Sequence, residues 1–383
     1  MKSTHRVIPL VVTLTLLVAR LAAGQTRPSA GVEKTKDGWE PASPADEKLD
    51  AAMVSAMLER VRGGAYRNVR SVIIARNGKL VVEEYFPRTE GDRREQALRR
   101  ASPVESTSAT KSVTSMLIGI AIDRGLIRSA DERLATFFPE YADVFAADPG
   151  RAKITLKDLL TMTAGLAWDE WTLPYTDPRN DHIAMVRSDD PIRYVLERPV
   201  VAAPGETFAY NSGLSIILGQ VIFKVSGLRA DKFAERHLFE PLGITDFYWL
   251  KYPDDIVQAG GGLYVRPRDM AKLGQLFLDG GRWNGKQVIS ETWVKASVTS
   301  HVGAAKIDPA AKATGYGYQW WLGSFRVGDR DVPSYGARGR GGQFIMVLPD
   351  QQMVIVFTSP ADNPLMFQPL DIVKRDILPA AGG

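Results

Sequence analysis

The 383-residue chain contains no cysteine. That excludes disulfides, thiol nucleophiles and thiolate metal sites. Histidine is scarce: His5, His182, His237 and His301 are the whole set, and no two stand at metal-ligand spacing. A zinc centre is therefore not expected, and neither metal nor cofactor is assigned. There is no Gly-x-Ser-x-Gly, which disfavours the strand-to-helix elbow of histidine-triad hydrolases. No glycine loop runs into Lys-Ser or Lys-Thr at the head of a helix, so a phosphate cradle is missing. Strong charge of either sign is also missing. The net charge of +4 includes Lys2, Arg6 and Arg20, which share the first 24 residues with no acid. The remainder carries +1, and no nucleic-acid partner is expected of so neutral a chain.

Long apolar runs are absent but for Val7 to Ala19. Basic residues precede this run, and Leu21-Ala22-Ala23-Gly24 comes after it. The pattern reads as a secretory signal peptide over residues 1–24. It is too short for a stable membrane span. A periplasmic or secreted location is the expectation, with no cysteine available for a lipid anchor. An exported chain without disulfides depends on its packed core, and this length is ample for one. Residues 25–42 are polar, with scattered proline and glycine, and read as a flexible leader.

From Ser43 onward the chain is patterned. Ser43-Pro44-Ala45-Asp46 has the chemistry of a helix start, and Leu49, Met53, Met57 and Val61 give its apolar stripe. Ser71 to Ala75 and Leu80 to Tyr85 are β-rich runs around Asn77-Gly78, a hairpin signal. The middle of the chain is mostly helical by spacing. Strands return at Tyr316 to Leu322, Gln343 to Leu348 and Met353 to Phe357, and a last amphipathic helix runs from about Met366 to Leu378. The expected fold is α+β: one antiparallel sheet built from both chain ends, flanked by helices, with a mostly helical lobe inserted. The boundaries are 43–130 and 290–383 for the sheet lobe and 131–289 for the helical lobe. Oligomeric state stays open.

Ser108-Ala109-Thr110-Lys111 opens an apolar run from Val113 to Ile122 that suits a buried helix. Residues three apart on a helix share a face, so a hydroxyl lies beside an amine in dry surroundings. Burial disfavours an ammonium, and a neutral lysine can take the serine proton. The tetrapeptide alone is weak. A serine near a helix start with a lysine reaching water explains it equally well. Downstream, Tyr210 sits where an extended segment meets the next apolar helix and is a candidate proton shuttle. Beside Lys111 its phenolate form would be favoured, and Ser212 is placed to hydrogen-bond the lysine. In the long loop 167–190, Trp168 and Asp169, with Glu170 and Trp171, are candidates to line a substrate entrance. A solvated acidic loop is the plainer account.

Three segments come in a telling order: Ser108-Ala109-Thr110-Lys111, Ile154 to Leu166, and Pro204 to Ser212 with Tyr210-Asn211-Ser212. Together with Pro241-Leu242-Gly243-Ile244 and Gly260 to Asp269, they resemble the β-lactamase-related serine hydrolases over about Ser71 to Pro360. That family comprises class C β-lactamases, D-Ala-D-Ala carboxypeptidases, esterases and 6-aminohexanoate-dimer hydrolases. The resemblance implies Ser108 as nucleophile, Lys111 as its base and Tyr210 as a second acid/base. It also implies a small-molecule ester or amide as substrate. The family's Lys-Thr-Gly is replaced by Ala337-Arg338-Gly339-Arg340. Ser212 after the tyrosine and Gly342-Gln343-Phe344-Ile345 look like the 6-aminohexanoate-dimer hydrolase branch. By that alignment the backbone N–H of Arg340, with that of Ser108, would form the oxyanion hole. A β-lactamase or carboxypeptidase, and a non-catalytic binding protein on the same fold, stand as alternatives.

Overall fold

The computed structural model describes residues 32–88 and 92–382. The expected signal peptide, 1–24, lies outside them. Strand-forming runs from the two ends of the chain pair into one nine-stranded sheet. Its strands are β1 (Glu40–Pro41), β2 (Ser71–Arg76), β3 (Lys79–Tyr85), β4 (Val302–Gly303), β5 (Gly315–Tyr316), β6 (Trp321–Val327), β7 (Arg330–Gly339), β8 (Gln343–Leu348) and β9 (Met353–Thr358). They lie in the order β1-β3-β2-β9-β8-β7-β6-β5-β4. Only the β1–β3 pair among them is parallel.

The central strands are apolar at nearly every position because both faces are covered. Ile73, Ala75, Ile345, Val347, Val354 and Val356 point into one core, and the alternate residues Val72, Ile74, Phe344, Met346, Ile355 and Phe357 into another. The register Ile345↔Val356 and Ile355↔Ile74 keeps each set on its own face. The second face is closed by helix Ala51–Arg62 and by the C-terminal helical segment that carries Ile372, Val373 and Ile377. The first is closed by helix Pro267–Leu278, which lies along β9 and β8. Gly274 permits that approach, since a methyl there would meet Val354 Cγ1 at 2.5 Å and Ile345 Cγ2 at 2.9 Å.

Four sequence expectations change. The run Tyr316 to Leu322 is not one strand: β5 ends at Tyr316, Gln319 takes a φ of 59° in the turn, and β6 starts at Trp321 and pairs back antiparallel. Residues 32–42 of the expected flexible leader are strapped to the sheet lobe. Strand β1 pairs with β3, Trp39 is buried edge-on against Trp283, and Asp37 is ion-paired with Arg268. The first helix starts at Ala51 rather than near Ser43, because Lys48 takes a left-handed conformation and Asp50 caps the helix through Ala52 N and Met53 N. The expected helical lobe 131–289 is less uniform than its spacing implied. Helix Pro267–Leu278 belongs to the sheet layer, and strands Phe247–Trp249 and Leu263–Val265 form a small sheet with Val104–Glu105. Among the described residues no single helix is long and apolar enough to cross a membrane.

Candidate active site

Ser108 sits in a single tight turn, Thr107–Ala109, that leads straight into helix Thr110–Asp123. Thr107 holds a φ of 45°, an uncommon conformation for a β-branched residue. Neighbours from distant segments hold it there. Ser106 donates from both its N–H (2.9 Å) and its hydroxyl (2.6 Å) to Leu263 O. The Thr107 hydroxyl donates to Arg340 O at 3.3 Å. Strand β7 ends against this turn, and its last residue has to be glycine: a methyl at 339 would run into the Ser106 carbonyl and the Thr107 hydroxyl.

The next helix is buried from Thr110 to Ala121 and packs on helix Ser212–Ser226. Lys111 is 2 % exposed. Its Nζ lies 3.1 Å from Ser108 Oγ and donates to Gly260 O at 2.6 Å. The amine also stands 4.9 Å from the centre of the Tyr210 ring. Burial lowers Lys111 to about 8, against the opposing pull of Glu170. A sizeable fraction of the amine is then neutral near pH 8, beside a hydroxyl it can deprotonate.

Ser108 and Tyr210 share one cavity of about 450 Å³. Trp171, Tyr210 and Trp321 form part of its wall, their rings near-parallel at centroid distances of 5.0 to 6.3 Å. Arg338 lines the cavity too, its guanidinium 5.6 Å from the centre of the Trp321 ring and donating to Ala311 O at 2.9 Å. Burial lowers Arg338 to about 10. Arg340 lies at the cavity edge with its guanidinium 5.0 Å from the centre of the Tyr175 ring. Among the described residues no group of three or more His, Asp or Glu side chains converges as a metal site would require.

Several sequence-derived placements differ. Tyr210 is not biased towards phenolate: burial, then the charge of Glu170, raise its phenol well above the usual range, with the Ser108 hydroxyl acting the other way. Ser212 does not bond Lys111; its N–H and hydroxyl both donate to Glu170. Asp169 turns from the cavity to the loop's own backbone, accepting from Trp171 N and Thr172 N. Trp168 packs edge-on against Tyr194 and donates to Glu170 at 2.8 Å. Their neighbours Glu170 and Trp171 line the cavity instead. The sequence offers Glu170 as an entrance-lining candidate, with a solvated acid as the plainer account; it is 2 % exposed and lines the cavity. The flanking tryptophans are the only local sign that this acid lies in a dry place.

Known proteins share this architecture. A family model described as Beta-lactamase matches residues 49–377. The chain is 28% identical over 192 residues to a lovastatin esterase of Penicillium rubens, a match that spans 45% of this chain and only 46% of that protein. It is 23% identical over 366 residues to the 6-aminohexanoate-dimer hydrolase of Paenarthrobacter ureafaciens, covering 89% of this chain and 84% of the other. The solved structure of EstCE1, described as a hydrolase with promiscuous acyltransferase activity, superposes with a TM-score of 0.66 at 16% identity, over 89% of this chain and all of that one. With the sheet, the inserted helices and the Ser-x-x-Lys turn in place, the family match over most of the chain means that this protein belongs to the beta-lactamase family.

Proposed function

We propose that this beta-lactamase-family hydrolase is exported and cleaves small ester or amide substrates through a serine acyl-enzyme. The observation that carries the proposal is the Lys111 amine, buried and 3.1 Å from Ser108 Oγ at the foot of an aromatic-walled cavity. Neutral Lys111 takes the Ser108 proton as Oγ attacks the carbonyl carbon. The developing oxyanion is met by the backbone N–H groups of Ser108 and Arg340. As the tetrahedral intermediate collapses, the Tyr210 phenol gives its proton to the leaving oxygen or nitrogen and recovers one from the Lys111 ammonium. Water then cleaves the acyl-serine by the same groups in reverse.

The cavity supports apolar or aromatic acyl groups: Trp171, Tyr175, Trp321, Met366 and Phe367 line it, while Glu170, Asp308, Arg338 and Arg340 supply its charged groups. The absence of a lysine at Ala337 weighs against a β-lactam substrate. A fluorophosphonate probe should label the wild-type protein and leave Ser108→Ala unlabelled. Equal labelling of both would remove Ser108 from the mechanism. Nitrocefin turnover matching that of simple aryl esters would move the assignment to β-lactams.

A further inference from the structure

The loop 167–190 carries a buried carboxylate that the proposed mechanism does not use. Glu170 accepts four hydrogen bonds: Trp168 Nε1 at 2.8 Å and Ser212 N at 2.7 Å on one oxygen, Tyr175 OH at 2.8 Å and the Ser212 hydroxyl on the other. A carboxylate so enclosed is held as an anion. All four donors are neutral, and Lys111 acts on it through charge rather than a hydrogen bond. It lines the same cavity as Ser108 and Tyr210.

Its mechanical links reach the same groups. Ser212 begins the helix two residues after Tyr210, so the two bonds to Glu170 fix where the Tyr210 segment ends. The backbone of Gly260 lies against Ser212, with its Cα side facing Ser212 O, and the Gly260 carbonyl holds Lys111 Nζ. The groups that feel the charge are Lys111, His182 and the phenols of Tyr175, Tyr210, Tyr252 and Tyr316. Arg340 bears on Tyr175 and His182. His182 is half-buried, with Nδ1 unpartnered, and desolvation lowers its affinity for protons. Among the described residues, buried Lys111 bears on this carboxylate most strongly, with His182 next.

We infer that Glu170 is a positioning residue for the proposed reaction: a fixed buried charge that keeps the resting proton on the Tyr210 oxygen and leaves Lys111 basic enough to take the one on Ser108. The inference rests on the Ser108–Lys111 reading. Without the charge, the dry site would drain Lys111 of its affinity for protons, and the amine would become a weaker base that is neutral at lower pH.

The test is the pH dependence of fluorophosphonate labelling, which needs no known substrate. In the wild-type protein the labelling rate should rise with pH to a plateau, with its midpoint at Lys111, about 8. In Glu170→Gln the midpoint should fall by about one pH unit, and the plateau rate should fall about tenfold or more. Ser212→Ala keeps the charge and should leave the midpoint in place. A slower Glu170→Gln with an unmoved midpoint would show a structural brace only and overturn the inference while Ser108 stands. If the wild-type protein is not labelled at all, the parent reading fails instead. Should Glu170→Gln not fold, Glu170→Met carries the test: it also removes the charge, so the midpoint should fall, and an unmoved midpoint there overturns the inference equally.

Discussion

Replacing Gly339 with alanine tests how the end of β7 sets the geometry of the acylation step. The added carbon would sit about an ångström inside contact distance of the Ser106 carbonyl. It would also meet Gln343 Cβ at 3.0 Å. Thr107 can rotate its hydroxyl away, but the Ser106 carbonyl is backbone. Ser106 is pinned by two hydrogen bonds to Leu263 O, so the strand end has to yield. Overpacking of this kind costs about 1–3 kcal/mol. Displacing the Arg340 N–H by about an ångström from the oxyanion should cost about a hundredfold in acylation rate. The assay pairs the fluorophosphonate labelling rate with a thermal melt. Gly303→Ala serves as control, since a methyl there meets nothing within 4 Å. Wild-type labelling by a folded Gly339→Ala protein would refute the argument, because β7 would then not position an oxyanion donor.

Two further outcomes are expected of the site. Lys111→Met should reduce labelling by about a thousandfold or more, yet raise stability at pH 7. Burial takes the amine from 10.5 to about 8. Because the folded value is the lower one, the cost of the buried ammonium is full below pH 8 and is relieved between pH 8 and 10.5. At pH 7 that cost is about 3 kcal/mol, an upper bound on the gain in a denaturant titration; a loss of stability would show that the hydrogen bond to Gly260 outweighs desolvation. Arg340→Ala should change the labelling rate by less than about threefold, since the proposed contribution is a backbone N–H; a hundredfold loss would assign the role to the guanidinium.

Much of this is legible from local chemistry. The Ser108–Lys111 spacing and the apolar residues after it define a face of one helix, and the central strands β2, β8 and β9 are nearly continuous apolar runs. What stays hidden depends on partners far along the chain. Glu170 reads as a surface acid until Ser212, forty-two residues on, is seen to donate to it twice. Asp37 reads as part of a loose leader until Arg268 is seen across 231 positions. Gly260 stands out as a motif residue, but nothing local says that its carbonyl anchors Lys111. The helix start is misleading because Ser43 and Asp46 do bond each other, as a cap would, in a turn that Lys48 then breaks. The lobe boundary at 289 fails because helical periodicity reports an apolar face without saying whether a helix or a sheet covers it.

The strap at residues 32–42 bears on how the protein should be produced. Asp37 accepts from Arg268 Nε at 2.6 Å and lies 3.7 Å from Lys272 Nζ, and Arg268 donates as well to Glu33 O and the Thr35 hydroxyl. A recombinant chain begun after Trp39 would leave Arg268 with Glu83 and Lys272 with Asp269 as their remaining acids. It would also uncover the Trp283 ring. Each cation keeps one acid, so the cost falls below the about 3–5 kcal/mol of a buried charge left unpaired, but it still draws on the narrow margin that keeps a domain folded. An affinity tag belongs ahead of Glu33 or at the far terminus, and trimming to the family match at residue 49 would discard a piece of the foundation.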